Sequence, residues 1–204
     1  MSRYNASGSE GEYQQGSGNL VLKNLIGINC PEDMKAAETE LLEALYLQVF
    51  ADFPANISFQ VICRWHYNWL GNIYSWAGQV RAVNMAKPDI DFAAPPHIPR
   101  LIEILERDYL SRFCELPDMT DSELITYLAK THIEFILIHP FREGNGRIAR
   151  LLMDVMAAEA GAQPLDYSLW DKHKAFYFKS IQAGRDGDYQ HIERLIRDVL
   201  TEQE

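Results

Sequence analysis

Residues 139–150 concentrate side chains that could bind an anion and move a proton, and they read His-Pro-Phe-Arg-Glu-Gly-Asn-Gly-Arg-Ile-Ala-Arg. Glycine readily adopts positive φ, so the run Gly144–Gly146 lets successive backbone N–H groups point into one concavity. A helix that begins there adds its own N-terminal N–H groups and the positive end of its dipole. The segment therefore predicts an anion site at the start of a helix.

Charged side chains flank this predicted site. Arg147 and Arg150 lie three residues apart near the helix start, and residues with that spacing are neighbours on a helix. Paired guanidinium groups beside a nest of N–H groups suit a polyphosphate. Glu143 would repel an anion unless a divalent cation such as Mg²⁺ bridges the two. His139 titrates near neutral pH when unperturbed, so it could act as a general base.

Each of these features also has a simpler interpretation. A Gly-Asn-Gly run is most often an ordinary loop, and a histidine at a helix end such as His139 is more often a capping or core residue than a catalyst. Glu143 with Arg147 could form a surface ion pair between residues four apart. A metal site from His132, His139 and Glu143 is the weaker alternative, because the two histidines are too far apart for one zinc ion on a straight helix. The concentration of all the features in one helix–loop–helix junction favours the anion site.

Apolar residues recur with a helical period along most of the chain, which predicts the elements that must position this junction. The first helix should begin near Pro31, Ser58 should cap the second helix, and Thr120 with Glu123 predicts a capping box at the fourth. One strand-like stretch, residues 79–92 with a Lys87–Asp89 turn, predicts a short hairpin. The expected fold is all-α, a helical bundle with one small β-hairpin. The apolar stripes span Ala37–Val49, Phe59–Ile73, Ile98–Tyr109, Leu124–Ile136, Ile148–Met156, about Trp170–Ala183 and about Tyr189–Leu200.

Length and composition limit the function further. The chain has 204 residues, 47% of them hydrophobic, and a formal charge of −10, which predicts one domain with an acidic surface. We expect a flexible polar tail at residues 1–19 and a single domain at 20–204. Acidity disfavours direct nucleic-acid binding, and no apolar run predicts a membrane span. The three cysteines lack disulfide or zinc spacing, which favours a cytoplasmic protein.

Residues 139–150 resemble a known signature, that of the Fic (filamentation induced by cAMP) family. They agree with its pattern H-x-F-x-[D/E]-G-N-G-R-x-x-R at every fixed position. Upstream residues are similar to the approach to the family's flap hairpin, and the resemblance covers about residues 20–200. It implies an all-α Fic fold and transfer of AMP from ATP to a Ser, Thr or Tyr hydroxyl of a target protein, with Mg²⁺ and release of pyrophosphate. The upstream residues are Tyr74–Gly78, Arg81, Asn84, Lys87 and Phe92–Pro95.

The resemblance also implies a role for each signature residue. His139 would be the general base, and Phe141 would be buried as the anchor of the loop. Glu143 would hold Mg²⁺ on the α- and β-phosphates. The remaining signature residues would cradle the phosphates and hold the departing pyrophosphate, and they are Gly144, Asn145, Gly146, Arg147 and Arg150.

Two regions outside the signature are similar to binding regions of the family. Tyr177 and Phe178 match aromatic positions beside adenine, with ordinary core packing as the alternative. The hairpin matches the flap, whose edge receives the target segment by strand addition, with a plain surface hairpin as the alternative. The flap residues expected to dock the target are Lys87, Asp89, Ile90, Asp91 and Phe92.

Three readings of the activity remain open from the sequence. The first is an AMP transferase. The second is a transferase with another donor, either another nucleotide or phosphocholine; Gly146 argues against the kinase branch, which carries a side chain at that position. The third is a nucleotide-binding module without transfer, against which the complete signature argues.

Restraint of the activity is the last expectation from the family. In relatives, a helix with the motif [S/T]-x-x-x-E-[G/N] inhibits the activity. The Glu of this motif pairs with the second signature arginine, here Arg150. Only Thr39–Glu43 and Ser111–Glu115 have this spacing, and neither is followed by Gly or Asn. We therefore expect a separate small antitoxin that carries the inhibitory helix, with self-inhibition by Glu43 or by an unrecognised segment of the chain as the alternative. Such a toxin would act in the cytoplasm or, if secreted, inside a host cell.

Overall fold

The computed structural model describes residues 5–6, 11–87 and 90–201. Within these ranges the chain forms eight α-helices and one small antiparallel sheet, which confirms the predicted all-α class. None of these helices is both long and apolar enough to cross a bilayer. The helices are α1 Pro31–Ala51, α2 Phe59–Leu70, α3 Ile98–Asp108, α4 Asp121–Ile138, α5 Asn145–Glu159, α6 Ser168–Lys172, α7 Lys174–Arg185 and α8 Gln190–Thr201.

Two of the helices, α2 and α4, begin where the sequence carries a capping side chain. The hydroxyl of Ser58 accepts a hydrogen bond from the N–H of Val61 and opens α2. The predicted capping box opens α4, because the Thr120 hydroxyl accepts from the Glu123 N–H at 3.4 Å while the Glu123 carboxylate accepts from the Thr120 N–H at 2.9 Å. Both starts confirm predictions, since side-chain caps satisfy N–H groups that a helix leaves open.

Two segments differ from the predicted helices. The single helix expected at about Trp170–Ala183 is divided into α6 and α7 at His173, whose φ of −107° and ψ of 40° are not helical. A 3₁₀ helix at Leu110–Asp118 was not predicted. Its buried residues Leu110, Phe113 and Leu116 recur every three positions, which is the 3₁₀ period, and a search for a 3.6-residue period does not detect it.

The sheet has the order β1-β2-β3, with both pairs antiparallel. Strands β2, Met85–Lys87, and β3, Ile90–Asp91, form the predicted hairpin, whose turn at 88–89 lies outside the described residues. Strand β1, Asn5–Ala6, pairs with the other edge of β2 and was not predicted, because the glycine-rich N-terminal sequence carries no strand pattern. The division of the chain at residue 19 stays a prediction.

Helix α4 is the centre of the bundle, and α3, α5, α7 and α8 all pack against it. Its side chains are buried on nearly every face, including Phe135 and Ile133 at 0% exposure. Helix α5 follows after a six-residue loop, 139–144, and packs on both α4 and α2. The predicted anion site therefore lies at the junction of three helices that share the core.

The two signature glycines should differ sharply in their tolerance of a side chain. Gly144 has φ +83°, and a Cβ there would lie 2.6 Å from Trp69 Cζ3, whereas a Cβ at Gly146 meets no atom within 4 Å. We expect Gly144→Ala to lower the free energy of unfolding by about 2–4 kcal/mol, through left-handed strain and overpacking against a buried ring. The matched variant Gly146→Ala should change it by less than about 1 kcal/mol. Urea unfolding of the two variants checks this, and equal losses would contradict it.

Candidate active site

The loop between α4 and α5 is closed by one side chain, that of Asn145. Its Oδ1 accepts from the Phe141 N–H at 2.8 Å, and its Nδ2 donates to the Phe141 carbonyl at 2.7 Å. Both polar atoms of a side chain that we expected at the phosphates are therefore engaged with the loop, and a contact of Asn145 with an anion would use its backbone N–H or the second hydrogen of Nδ2. Gly144 precedes the helix with positive φ, and Gly146 is exposed in its first turn.

Phe141 and His66 form the platform beneath this loop. Phe141 is fully buried, as an anchor requires, and its ring stacks on His66 with centroids 4.0 Å apart. The His66 Nδ1 accepts from the Gly78 N–H at 2.8 Å, so its Nε2 donates to the Glu143 carbonyl at 3.0 Å. Burial lowers the pKa of His66 to about 4, which keeps the imidazole neutral. Sequence analysis missed His66, since a histidine beside an apolar stripe carries no signal of its own.

His139, the expected base, ends α4 in the left-handed region with φ 49° and ψ 58°. That conformation costs about 1–2 kcal/mol for a residue other than glycine. The ring is buried at 2% exposure and stacks on Phe92 at 3.6 Å. Its Nδ1 lies 3.1 Å from the Ile136 carbonyl, which assigns the proton to Nδ1 and makes Nε2 the basic nitrogen.

The electrostatic surroundings of His139 keep its ring neutral. Burial lowers the pKa of His139 well below its ordinary value, and the cations Lys87 and Arg81 lower it further. The carbonyl of Ile136 acts in the opposite direction but does not outweigh burial. A neutral imidazole is the form that can take a proton from a hydroxyl.

Residues of α1, α2 and the loop contact the Arg147 side chain and fix its position. Its Nη1 donates to Glu38 Oε2 at 2.8 Å, its Nη2 lies 3.5 Å from Glu143 Oε1, and its guanidinium lies 4.4 Å above the Trp69 ring. Glu38 is buried, and it also accepts from the Tyr74 hydroxyl at 2.9 Å. Sequence analysis missed Glu38, although a signal exists: this carboxylate interrupts the buried face of α1 formed by Met34, Leu45 and Val49.

Arg150 lies one turn further along α5 and pairs with α6. It donates to both carboxylate oxygens of Asp171, at 2.7 and 3.2 Å, and its guanidinium lies 4.9 Å from the centre of the Tyr167 ring. Hydrogen bonds from Arg150 lower the pKa of Asp171, so this carboxylate stays charged. The alternative that Glu43 pairs with Arg150 is not seen: Glu43 is exposed on α1, and Asp171 occupies that position.

Tyr177 and Phe178, the two aromatic residues expected beside adenine, have different surroundings. Tyr177 is partly buried and packs against the core. Its hydroxyl lies 2.8 Å from His132 Nε2 and its ring stacks on Trp170, so packing by itself explains this residue. Phe178 lies beneath the ammonium group of Lys87, 4.3 Å from the ring centre, and therefore faces the hairpin.

In the hairpin itself, Ile90 and Phe92 are buried and Asp91 is exposed. Any docking through Ile90 or Phe92 would therefore use their backbone. Asp89 lies outside the described residues.

The donor set suits a cation that is shared with a phosphate. Among the described residues, no three His, Cys, Asp or Glu side chains converge on a point that could hold a metal ion. His132 is engaged with Tyr177 in the core, which removes it from the alternative metal set with His139 and Glu143. Glu143 offers one carboxylate at the edge of the loop. Mg²⁺ is commonly bound by one or two carboxylates together with substrate phosphates, so Glu143 fits that role.

Known proteins resemble this chain both in sequence and in structure. The model of the Fic/DOC family matches residues 56–157. A probable protein adenylyltransferase of Sinorhizobium fredii is 28% identical over 205 residues, which is 98% of this chain and 100% of that protein. A protein adenylyltransferase of Bartonella henselae is 27% identical over 88% of this chain and 35% of its own length. An adenylyltransferase of Aedes aegypti is 36% identical over 36% of this chain.

The chain spans only 14% of the Aedes relative and about a third of the Bartonella henselae one. In structure it is similar to an effector of Bartonella tribocorum solved with bound AMPPNP, with a TM-score of 0.74 at 22% identity over 94% of this chain and 97% of that chain. An N-terminal Fic domain from Bartonella quintana, solved with bound ADP, gives a TM-score of 0.75 at 21% identity over 92% of each chain. These neighbours share the helical fold. With half of its length matched by the family model, the chain belongs to the Fic/DOC family.

Proposed function

We propose that this chain transfers AMP from ATP to a hydroxyl side chain of a target protein. The observation that carries the proposal is the neutral, buried imidazole of His139 placed six residues before a helix start flanked by Arg147 and Arg150. A base at the beginning of the loop that leads into a predicted polyphosphate site suits a reaction between a hydroxyl and a nucleotide. The relatives named as adenylyltransferases and the neighbours solved with AMPPNP and ADP support the same reaction.

The proposed step balances around the α-phosphorus. The target hydroxyl gives its proton to Nε2 of His139 while its oxygen attacks the α-phosphorus. A new oxygen–phosphorus bond forms, the bond to the oxygen shared with the β-phosphorus breaks, and pyrophosphate leaves. The N–H groups at the start of α5, with Arg147 and Arg150, stabilise the charge that develops on pyrophosphate. Mg²⁺ held by Glu143 would neutralise part of the phosphate charge.

The target segment is proposed to add to the hairpin as a further strand. Strand β2 is central, since β1 and β3 pair with its two edges, so β3 is the strand of the hairpin that lies at an edge of the sheet. Backbone pairing there would leave exposed Asp91 to contribute selectivity. Phe178, and less directly Tyr177, would border the adenine.

We also propose that residues 20–204 act as one domain. Its place of action would be the cytoplasm, with delivery into a host cell as the alternative suggested by the translocated Bartonella effectors.

Removing the base should abolish transfer and spare nucleotide binding. For His139→Ala we expect a loss of about 10²- to 10⁴-fold in labelling of lysate proteins from α-labelled ATP, the usual contribution of a general base. ATP binding by calorimetry should be largely retained, because His139 lies outside the helix start. The control is His173→Ala, an exposed histidine at the start of α7.

Two outcomes would contradict the proposed reaction. Near-normal labelling by His139→Ala would show that another group is the base. Label from γ-labelled instead of α-labelled ATP in the unmodified chain would indicate transfer of a phosphoryl group, and absence of both labels would indicate a binding module or another donor.

Loss of a signature arginine and loss of the carboxylate that competes for Arg150 should change ATP binding in opposite directions. Arg150→Ala and Arg147→Ala should each weaken it by about 10- to 100-fold, the scale of a lost hydrogen bond to a charged group. Asp171→Asn should strengthen it by about two- to fivefold, because an exposed carboxylate no longer competes for Arg150. Glu143→Ala should reduce the dependence of binding on Mg²⁺. Calorimetry with and without Mg²⁺ measures all four.

The control for Asp171→Asn is Asp186→Asn, which removes an exposed carboxylate that pairs with Arg185 on another part of the surface. It should leave ATP binding unchanged. Unchanged binding in both arginine variants would contradict a polyphosphate site at the start of α5.

We also propose that the inhibitor is a separate small antitoxin, which makes the chain the toxin of a pair. Within the described ranges, the carboxylates with the expected spacing lie elsewhere: Glu43 is exposed, and Glu115 pairs with Arg112 at 2.7 Å. The carboxylate of a separate protein could instead displace Asp171, which is 64% exposed, from Arg150. An antitoxin of this kind would compete with the pyrophosphate part of ATP for Arg150.

The chain purified alone should therefore label itself from α-labelled ATP, and its expression should arrest growth. Glu43→Gly should change neither result, because this carboxylate does not contact the site, and Glu40→Gly on the same helix serves as the control. Low activity that rises strongly in Glu43→Gly, and not in Glu40→Gly, would contradict a separate inhibitor.

A further inference from the structure

Arg81 is a buried cation in the segment between α2 and β2, exposed by only 2%. Its Nε donates to the His139 carbonyl at 2.6 Å, and its Nη2 donates to the Ala93 carbonyl at 2.6 Å and more weakly to that of Ile138 at 3.4 Å. Its Nη1 donates to the Val83 carbonyl. A side chain that is buried with this many directed donors is fixed in place.

These carbonyls belong to the hairpin and to the C-terminal end of α4, the two parts of the site that must work together in the proposed transfer. Val83 precedes β2 and Ala93 follows β3, so they are the two legs of the hairpin. Ile138 and His139 are the C-terminal end of α4, whose last carbonyls lack partners inside the helix and carry its negative dipole end. One guanidinium therefore joins both legs of the hairpin to the backbone of the base.

The surrounding backbone adds to this connection. The Arg81 N–H donates to the Pro140 carbonyl at 2.8 Å, and the Ala93 N–H donates to the Leu137 carbonyl at 3.0 Å. His139 is the residue whose left-handed backbone turns its ring toward Phe92 of the hairpin. The direction of its carbonyl, which Arg81 holds, is coupled to the direction of its ring because both follow from the same φ and ψ.

We propose that Arg81 is a positioning residue for transfer, which sets the distance and direction between the imidazole of His139 and the hairpin that receives the acceptor. This inference rests on the proposed function in the part that concerns transfer. A lysine could place a charge at this point, but its single ammonium lacks the planar fork that reaches carbonyls in several directions. The arrangement therefore requires arginine for geometry and a cation for charge.

The charge of Arg81 has a second consequence for His139. The groups that face this imidazole are Lys87 from β2, Arg81 from the preceding segment, the Phe92 ring and the Ile136 carbonyl. Both cations lower the pKa of His139, so loss of either should raise it toward its ordinary value. A base with a raised pKa is protonated over a wider acid range, and its activity is lost at a higher pH.

The test compares Arg81→Met, which removes the charge and the fork, with Arg81→Lys, which keeps only the charge. Transfer from α-labelled ATP to lysate proteins is measured from pH 5 to 9, together with ATP binding by calorimetry. Arg81→Met should lower the rate by about 10- to 100-fold, the scale of a catalytic group misplaced by about an ångström. The pH at which its activity falls on the acid side of the profile, the acid limb, should rise by about one unit. The acid limb of Arg81→Lys should match that of the unmodified chain, but its rate should stay low. Both variants should bind ATP.

A stability control separates positioning from folding. Leu105→Ala removes a buried side chain of α3 and should destabilise the core without moving the acid limb. If Arg81→Met loses only as much activity as Leu105→Ala at matched thermal stability, and its pH profile keeps the original limb, Arg81 is merely structural and the inference is wrong.

One measurement does not depend on transfer. Titration of the His139 ring followed by NMR, assigned with His139→Gln, should show a higher pKa in Arg81→Met than in the unmodified chain or in Arg81→Lys. Amide exchange at Ala93 should accelerate in both variants, because each loses the fork. Failure of the proposed function would appear as absence of labelling by the unmodified chain, whereas an unchanged titration and exchange in Arg81→Met would overturn the role of Arg81 itself.

Discussion

The two hydrogen bonds between the Asn145 side chain and the backbone of Phe141 are the constraint on which the site depends. They close the loop across the gap between α4 and α5, and the buried ring of Phe141 fastens the closed loop to His66 of α2. Buried polar groups must find partners, and here one amide satisfies a donor and an acceptor that the turn would otherwise expose to the core. The start of α5 is therefore rigid before any ligand arrives, which is the condition for preorganised anion binding.

Charge is balanced around this rigid start by carboxylates from distant parts of the chain. Glu38 of α1 neutralises Arg147 in a largely buried pair, and Asp171 of α6 neutralises Arg150 near the surface. Removing one partner of a buried pair costs about 3–5 kcal/mol, because the remaining charge is left without compensation, whereas an exposed pair contributes about 1 kcal/mol or less. Of the two arginines, Arg147 is thus part of the architecture, and Arg150 can exchange its partner at low cost.

The sequence allowed most of the fold to be predicted, because helical periodicity and caps are local properties. Ser58 and the Thr120–Glu123 box mark the starts of α2 and α4 where the structure has them. The predictions failed where the local signal differs from the 3.6-residue period. They missed the 3₁₀ helix of Leu110–Asp118 and the end of α6 at His173. They also missed strand β1, whose pairing partner is far away in the sequence.

For the site, residue types and spacing alone predicted an anion site at the loop that carries the glycines, His139 and the two arginines. The partners of those residues came only from the tertiary structure. Glu38, Arg81, His66 and Asp171 lie in four different segments, each many residues from the loop they support, and no spacing rule connects them to it. A sequence pattern records chemistry along the chain, whereas a buried charge or a donor finds its partner through space, and only packing of the helices decides which partner that is.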